Sequence, residues 1–198
     1  MAIIVDKVQK RKDIALSCKE IFFQNGINDL TISQIAKTAG VGKGTLYDYF
    51  KNKEDIVFEI VNILMLEHNE IKHKKLEKLS STREKIKEFS SFFYDDDEKE
   101  LRQLYKEFIS ISLINPDKEM IDFQTQCALN YQKWFEEIFD EGISKGEIKK
   151  DSKVFAKGLF VMAEGMFIVS SVTHTVSDVK SEIHQFVDAI FDLIEVKR

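Results

Sequence analysis

Proline is almost missing from this chain, with one in 198 residues, and glycine (eight), cysteine (two) and tryptophan (one) are nearly as scarce. With so few residues that break helix geometry, long uninterrupted helices and an all-α fold are expected. Two isolated thiols, Cys18 and Cys127, offer neither a C-x-x-C pair nor the density of a secreted disulfide scaffold, so both are expected as reduced core residues. A membrane-spanning run is missing too. The most apolar stretch, GLFVMAEGMFIV from Gly158, is interrupted by Glu164 and is short for a bilayer. The N-terminus, MAIIVDKVQKRKD, sets its apolar residues before its basic ones, the reverse of a signal peptide. A cytoplasmic protein without a membrane partner is expected.

Catalytic constellations are equally scarce. His68 and His73 stand five apart, the wrong spacing for one helical face, and His174 and His184 are isolated, so no metal site is expected. No G-x-S-x-G turn is present, and neither cysteine has a histidine nearby in sequence. The sequence therefore points away from an enzyme, with no catalytic residue, metal or cofactor.

What is present is a 43% hydrophobic content, enough for a packed core without staples, and an uneven charge. The formal net charge of −5 hides a split: residues 1–53 hold nine Lys/Arg against five Asp/Glu, whereas the remainder holds 20 against 29. A basic N-terminal end precedes an acidic body.

Apolar periodicity predicts a first helix over 6–25, with Ile14, Cys18, Ile21 and Phe22 on one face and Gly26 as a left-handed stop. Thr31 opens a capping box with Gln34 ahead of the short helix ISQIAKTA, which ends at Gly40. A third short helix over 43–50 is followed by Asn52 as cap of a long helix starting KEDIVFEIVNILMLEH, acidic in its first turn. Further helices are expected over 82–93, 99–114, 117–145, 152–174 and 178–196, about nine in all. The acidic run DDDEKE at 95–100 reads as a solvated turn and helix start.

Two short helices joined by a tight glycine turn, behind a supporting helix and carrying positive charge, form the helix-turn-helix that enters a DNA major groove. The face pattern agrees. Ile35, Ala36, Val41, Leu46 and Phe50 would pack inward, leaving Lys43, Gly44 and Tyr47 on the opposite face. Gly44 lets backbone approach the bases, Tyr47 offers a flat ring with a hydroxyl tip, and Thr45 suits a phosphate or a thymine methyl. Thr31, Tyr49 and Lys53 lie at helix ends, where phosphates are met. One competitor shares these residues: GVGKGT resembles the phosphate loop of nucleoside monophosphate kinases. Such a loop follows a buried strand, whereas ISQIAKTA has helical periodicity and Lys37 stands where the first loop glycine belongs.

The segment LTISQIAKTAGVGKGTLYDYFKNKEDI resembles the DNA-binding segment of the TetR family of repressors, through its IA-x-x-AGV turn and G-x-LY-x-x-F recognition helix. DEGISKGEIKKDSKVFAKGLF is a weaker echo of a later helix junction of that family. The resemblance implies an N-terminal three-helix helix-turn-helix domain (1–52) and a C-terminal helical ligand-binding and dimerisation bundle (53–198). It makes Thr31, Lys43, Gly44, Thr45, Tyr47, Tyr49 and Lys53 the candidate DNA contacts. Two positions depart from the pattern: Gly42 replaces a capping Ser or Thr, and Asp48 stands within the recognition helix, where it would repel phosphate.

The body is crowded with aromatics, which line small-molecule clefts as readily as they fill cores. Phe89, Phe93, Tyr105, Phe108, Tyr131, Trp134, Glu164 and Phe167 are the candidate ligand-pocket residues. Glu164 is the sharpest, because a carboxylate in so apolar a stretch needs a cationic ligand, an internal partner or solvent at a dimer rim. The resemblance further implies a homodimer through the last two long helices, with Gly158, Ala163 and Gly165 allowing close approach and Ile183, Phe186, Ile190 and Leu193 forming an apolar stripe. Recognition helices roughly 34 Å apart would then read a pseudo-palindromic double-stranded operator. An unknown small-molecule effector, moving the fourth helix, would release a repressor with a coupling of about 1–3 kcal/mol. The alternative is a constitutive DNA-binding or nucleoid-associated dimer without an inducer.

Overall fold

The computed structural model describes residues 6–114 and 116–197. Asp6 opens the first helix by accepting from the Val8 and Gln9 amides at 3.0 and 3.2 Å, which satisfies two of the donors every helix start leaves orphaned. The helix expected over 6–25 is interrupted: α1 (Lys7–Ser17) gives way at Cys18, whose amide bonds back only three residues to Ala15, before α2 (Lys19–Asn25) resumes. Gly26 follows with φ 75° and ψ 172°, a positive-φ residue but an extended one, not the left-handed helical stop expected.

The chain continues as α3 (Ile32–Thr38), α4 (Lys43–Tyr47), α5 (Lys53–Leu76), α6 (Thr82–Phe89), α7 (Lys99–Ile114), α8 (Lys118–Ser144), α9 (Val154–Val172) and α10 (Val179–Ile194). With α1 and α2 taken as one interrupted helix, the described residues form the all-α, nine-helix order read from the sequence. Among the described residues there is no strand, only one antiparallel bridge between Ile148 and Glu195. The helix expected over 82–93 tightens to a 3-10 turn at Ser90–Phe93, where the Ser90 hydroxyl donates to the Ile86 carbonyl at 3.0 Å and competes with the helical ladder.

Two compact units divide the chain, one of residues 1–69 with 100–123, the other of 70–99 with 124–198; the 52/53 division falls at the α4–α5 junction, within the first. The first unit buries Ile14, Cys18 and Phe22 of α1 and α2, Ile27 and Leu30 of the following loop, and Ile56, Val57 and Ile60 of α5. Each such side chain contributes about 1.5–3 kcal/mol of transfer free energy. Phe108 of α7 is also buried there, its ring 5.8 Å from both Phe58 and Phe123, whose own rings stack at 4.6 Å.

The second unit packs α6, α8, α9 and α10 around Ile86, Phe135, Phe139, Leu159, Val187 and Phe191. Charged groups stitch its surface: Arg83 of α6 reaches Asp188, Asp192 and Glu195, and Lys87 pairs with Asp188 at 2.6 Å. At the start of α6, the amide and hydroxyl of Thr82 both donate to Glu147, at 2.8 and 2.7 Å. Thr82 lies so close to α8 that a β-carbon added at Gly142 would sit 2.3 Å from its hydroxyl oxygen, which requires glycine there.

α9 and α10 each present two apolar faces. One is core: Ala156, Leu159, Ala163 and Phe167 on α9, and Ile183, Val187, Phe191 and Ile194 on α10. The other is outside, with Val154, Gly158, Val161 and Val172 on α9 and Phe186 and Leu193 on α10 all exposed. Ala163 and Ile183, expected on an intermolecular face, are thus corrected to the core, at 2% and 0% exposed: each helix carries two apolar stripes, and these two residues fall on the inner one. With its preceding turn, α9 is long and apolar enough to cross a membrane by length and composition alone, so the span from Lys150 to Val172 exceeds the 12-residue string that drew attention in the sequence.

Candidate nucleic-acid interface

α3 begins as predicted. Thr31 accepts from the Gln34 amide at 3.3 Å while Gln34 Oε1 accepts from the Thr31 amide at 2.9 Å, closing the capping box. The turn that follows is made by Gly40 at φ 65°, with the Val41 amide donating to Ala36 at 3.0 Å. Gly42 then caps α4 without a side-chain hydrogen bond, as its missing hydroxyl dictates.

α4 has only five residues, fewer than the 43–50 span expected; its amide ladder ends at Leu46, to which Tyr49 and Phe50 bond back. Short as it is, its two faces are sharply sorted. Leu46 and Phe50 are buried with Ile35 and Ala36 of α3, and Val41 is half-buried, as the spacing required. Lys43, Gly44, Thr45 and Tyr47 are exposed together, Tyr47 at 57%. An exposed tyrosine ring has lost apolar burial for no gain within the fold. Nothing lies within 4 Å of a β-carbon position at Gly44, so the backbone itself forms the surface at that point. Asp48 occupies the C-cap of α4 and is exposed; the expectation that it stands inside the helix is corrected by the early end of α4.

The remaining candidates are partly committed inside the fold. The Thr31 hydroxyl lies 2.6 Å from Gln34 Oε1, so its one proton is spent while the box is closed. Lys53 donates one proton to the Asn28 carbonyl at 2.8 Å and keeps two more. Tyr49 is half-buried, and its carbonyl accepts from Arg11 Nη1.

Arg11 was not singled out by the sequence, where it reads as one more charge in KVQKRK. Its Nε donates to Glu59 at 2.8 Å, its Nη2 to Asp55 at 2.7 Å, and its guanidinium carbon lies 4.2 Å from the Phe50 ring centroid. Burial opposes the charge of Asp55, but the hydrogen bonds from Arg11 and the Lys51 amide outweigh it and hold the carboxyl below its usual range. One guanidinium thereby joins α1, the end of α4 and the first turns of α5. A second tie runs to α7, where Glu107 accepts from the buried Ile27 amide at 3.2 Å and Glu100 pairs with Lys19 at 2.6 Å.

The candidate ligand-pocket residues divide between the units. Tyr105 and Phe108 stand on α7 in the first. In the second, Phe89 meets Tyr131, Trp134 and Phe135 edge-on at 6.2, 5.1 and 5.2 Å, Phe93 lies 5.7 Å from Phe167, and Glu164 is half-buried. An open cleft of about 260 Å³ in that unit has other walls, among them Lys87, Glu88, Tyr94, Lys180 and His184. There the Tyr94 hydroxyl lies 2.9 Å from His184 Nε2. Burial, then Lys87 and Lys180, pulls the His184 pKa below its ordinary value. Among the described residues no group of three or more His, Cys, Asp or Glu is placed to hold a metal ion, and Cys18 and Cys127 are free thiols, the first buried and the second half-buried.

Residues 18–60, which contain α3 and α4, match the family described as "Bacterial regulatory proteins, tetR family". The fatty acid metabolism regulator protein of Bacillus subtilis (strain 168) is 30% identical over 149 residues, 73% of either chain. Among solved structures, a TetR-family transcriptional regulator from Cytophaga hutchinsonii superposes with a TM-score of 0.75 at 17% identity, covering 98% of this chain and 99% of its own. The transcriptional regulator FadR from Bacillus subtilis in complex with stearoyl-CoA superposes at 0.56, with 22% identity and coverage of 91% and 95%. The relatives are transcriptional regulators, and the fold and the matched helix-turn-helix agree with them. This chain belongs to the TetR family of bacterial regulatory proteins.

Proposed function

We propose that the protein is a homodimeric repressor that reads a pseudo-palindromic operator and leaves it when a small molecule binds the body. Residues 1–52 are the DNA-binding domain in this reading, and 53–198 bind the effector and dimerise. The observation that carries it is the sorting of α4: Leu46 and Phe50 are buried while Lys43, Gly44, Thr45 and Tyr47 form one exposed face. That face offers a cation, a bare backbone, a hydroxyl and a flat ring, the groups that meet base edges and phosphates in a major groove. Thr31, Tyr49 and Lys53 flank it as phosphate contacts. The second apolar stripes of α9 and α10 supply the dimer surface, since exposed valines at this density are costly in a monomer.

The similarity to the fatty acid metabolism regulator protein and to FadR, whose solved structure holds stearoyl-CoA, supports a long-chain acyl thioester as the effector class. Its hydrocarbon tail would lie among the second unit's aromatics Phe89, Phe93, Tyr131, Trp134 and Phe167, with Glu164 beside it. Selection of bound duplexes from a random pool defines the half-site, and anisotropy titration with and without stearoyl-CoA then reads release. Tyr47→Ala is expected to lower operator affinity about 10- to 100-fold with the fold intact. Full specificity in that variant would overturn the assignment of α4, and equal affinity with and without stearoyl-CoA would overturn the effector class.

A further inference from the structure

We propose that the first turns of α1 are a second DNA-contacting surface, in which Lys7 and Lys10 grip operator phosphates beside the groove read by α4. The inference rests on the DNA-binding reading above and extends it to a helix outside the helix-turn-helix. Two observations carry it. The first is where α1 is pinned. Arg11 bonds to the Tyr49 carbonyl, to Asp55 and to Glu59, and stacks on Phe50, so this part of α1 is fixed at the α4–α5 junction, where Tyr49 and Lys53 already stand as phosphate candidates. Lys7 stands one helical turn before Arg11 on the same face, and Lys10 stands one turn from Lys7.

The second observation is the state of the charges. Arg11 is consumed inside the fold, whereas neither Lys7 nor Lys10 has a side-chain hydrogen bond or ion pair among the described residues; Lys7 is exposed and Lys10 half-buried. The two nearby carboxylates are otherwise engaged. Asp6 accepts the Val8 and Gln9 amides, and Asp13 accepts from Gln9 Nε2 at 2.8 Å. Two unpaired ammonium groups on the helix that Arg11 pins to the α4–α5 junction match the charge of a DNA backbone. They carry no sequence information, so their contribution is uniform across sequences and strongly salt-dependent.

The test measures operator affinity as a function of salt for the full chain, for Lys7→Ala/Lys10→Ala, and for Lys133→Ala, which removes a charge from α8. Each lost phosphate contact flattens the slope of log affinity against log salt by about 0.9, so the double variant in a dimer is expected to flatten it by about 3.6. Discrimination between operator and unrelated DNA should stay unchanged, as should the slope of Lys133→Ala. An unaltered slope in the double variant, or an equal loss in Lys133→Ala, would overturn the proposal. Absence of operator binding by the unmodified chain would instead overturn the DNA-binding reading on which it rests.

Discussion

Alanine in place of both Gly158 and Gly165 separates the two environments open to α9. The residues are seven apart, hence on one stripe of the helix, and in the isolated chain no atom lies within 4 Å of a β-carbon at either position. For a monomer, exchanging two helix-interior glycines for alanine is then purely a gain in helix propensity, about 1 kcal/mol each. Two such gains shift the folding equilibrium about 30-fold and raise Tm by about 4–8 °C for a chain of this size. If the stripe meets its two-fold mate, the sign reverses. Four methyl groups enter one close-packed contact, and overpacking costs about 1–3 kcal/mol per site. The expected outcome is a dimer dissociation constant raised at least tenfold by sedimentation velocity across a dilution series. Guanidinium unfolding at two protein concentrations separates the terms, because only the dimer contribution depends on concentration. A variant that melts higher and dimerises with unchanged affinity would refute the placement of this stripe in the interface.

Gly142→Ala should destabilise the chain by about 1–3 kcal/mol in guanidinium unfolding, since the new methyl overlaps a threonine that Glu147 holds with two hydrogen bonds; a stabilised variant would contradict the closeness of α6 to α8. Glu107→Leu strands the Ile27 amide, whose residue is 2% exposed, and should cost about 1–3 kcal/mol by the same assay, with Glu107→Gln recovering most of it. His184 has a lowered folded-state pKa, so as pH falls through its ordinary value near 6.5 the unfolded chain takes up the proton first and stability declines. Unfolding measured between pH 5 and 7.5 should therefore show stability rising with pH, with a shallower rise in His184→Gln; parallel curves would show that His184 contributes nothing to the slope.

The helices were legible wherever one apolar face repeats without interruption: α7 begins and ends where the spacing placed it, and α8, α9 and α10 fall within two residues of their expected bounds. The helix-turn-helix was legible because its glycines and capping box are local signals. What stayed hidden depends on distant partners. Cys18 breaks the first helix, and no neighbour in KEIFFQN announces it. Arg11 and Lys72 read as solvated charges in KVQKRK and IKHKKL, yet Lys72 is 2% exposed, its ammonium bonded to the Glu88 carbonyl at 3.0 Å. Periodicity identifies an inner stripe but cannot distinguish two apolar stripes on one helix, which is why Ala163 and Ile183 were assigned to the wrong side.

The uneven charge acquires a physical meaning once each cation of the basic end is followed to its surroundings. Arg11 and Lys19 are drawn inward by Asp55, Glu59 and Glu100, and Lys53 by a backbone carbonyl, while Lys51 stands 3.9 Å from Glu119 with both groups well exposed, a pairing that contributes little. Lys7, Lys10, Lys12, Lys37 and Lys43 are left without a side-chain partner among the described residues. The acidic excess of the rest of the chain is therefore not merely repulsive towards DNA. Some of it, on α5 and α7, neutralises cations of α1 and α2 and fixes the helices that carry them. A displacement of α5 would pull on Asp55 and Glu59, and one of α7 on Glu100 and Glu107, so either helix could transmit a change to the reading surface through bonds that already tie it to α1, α2 and the Gly26 loop.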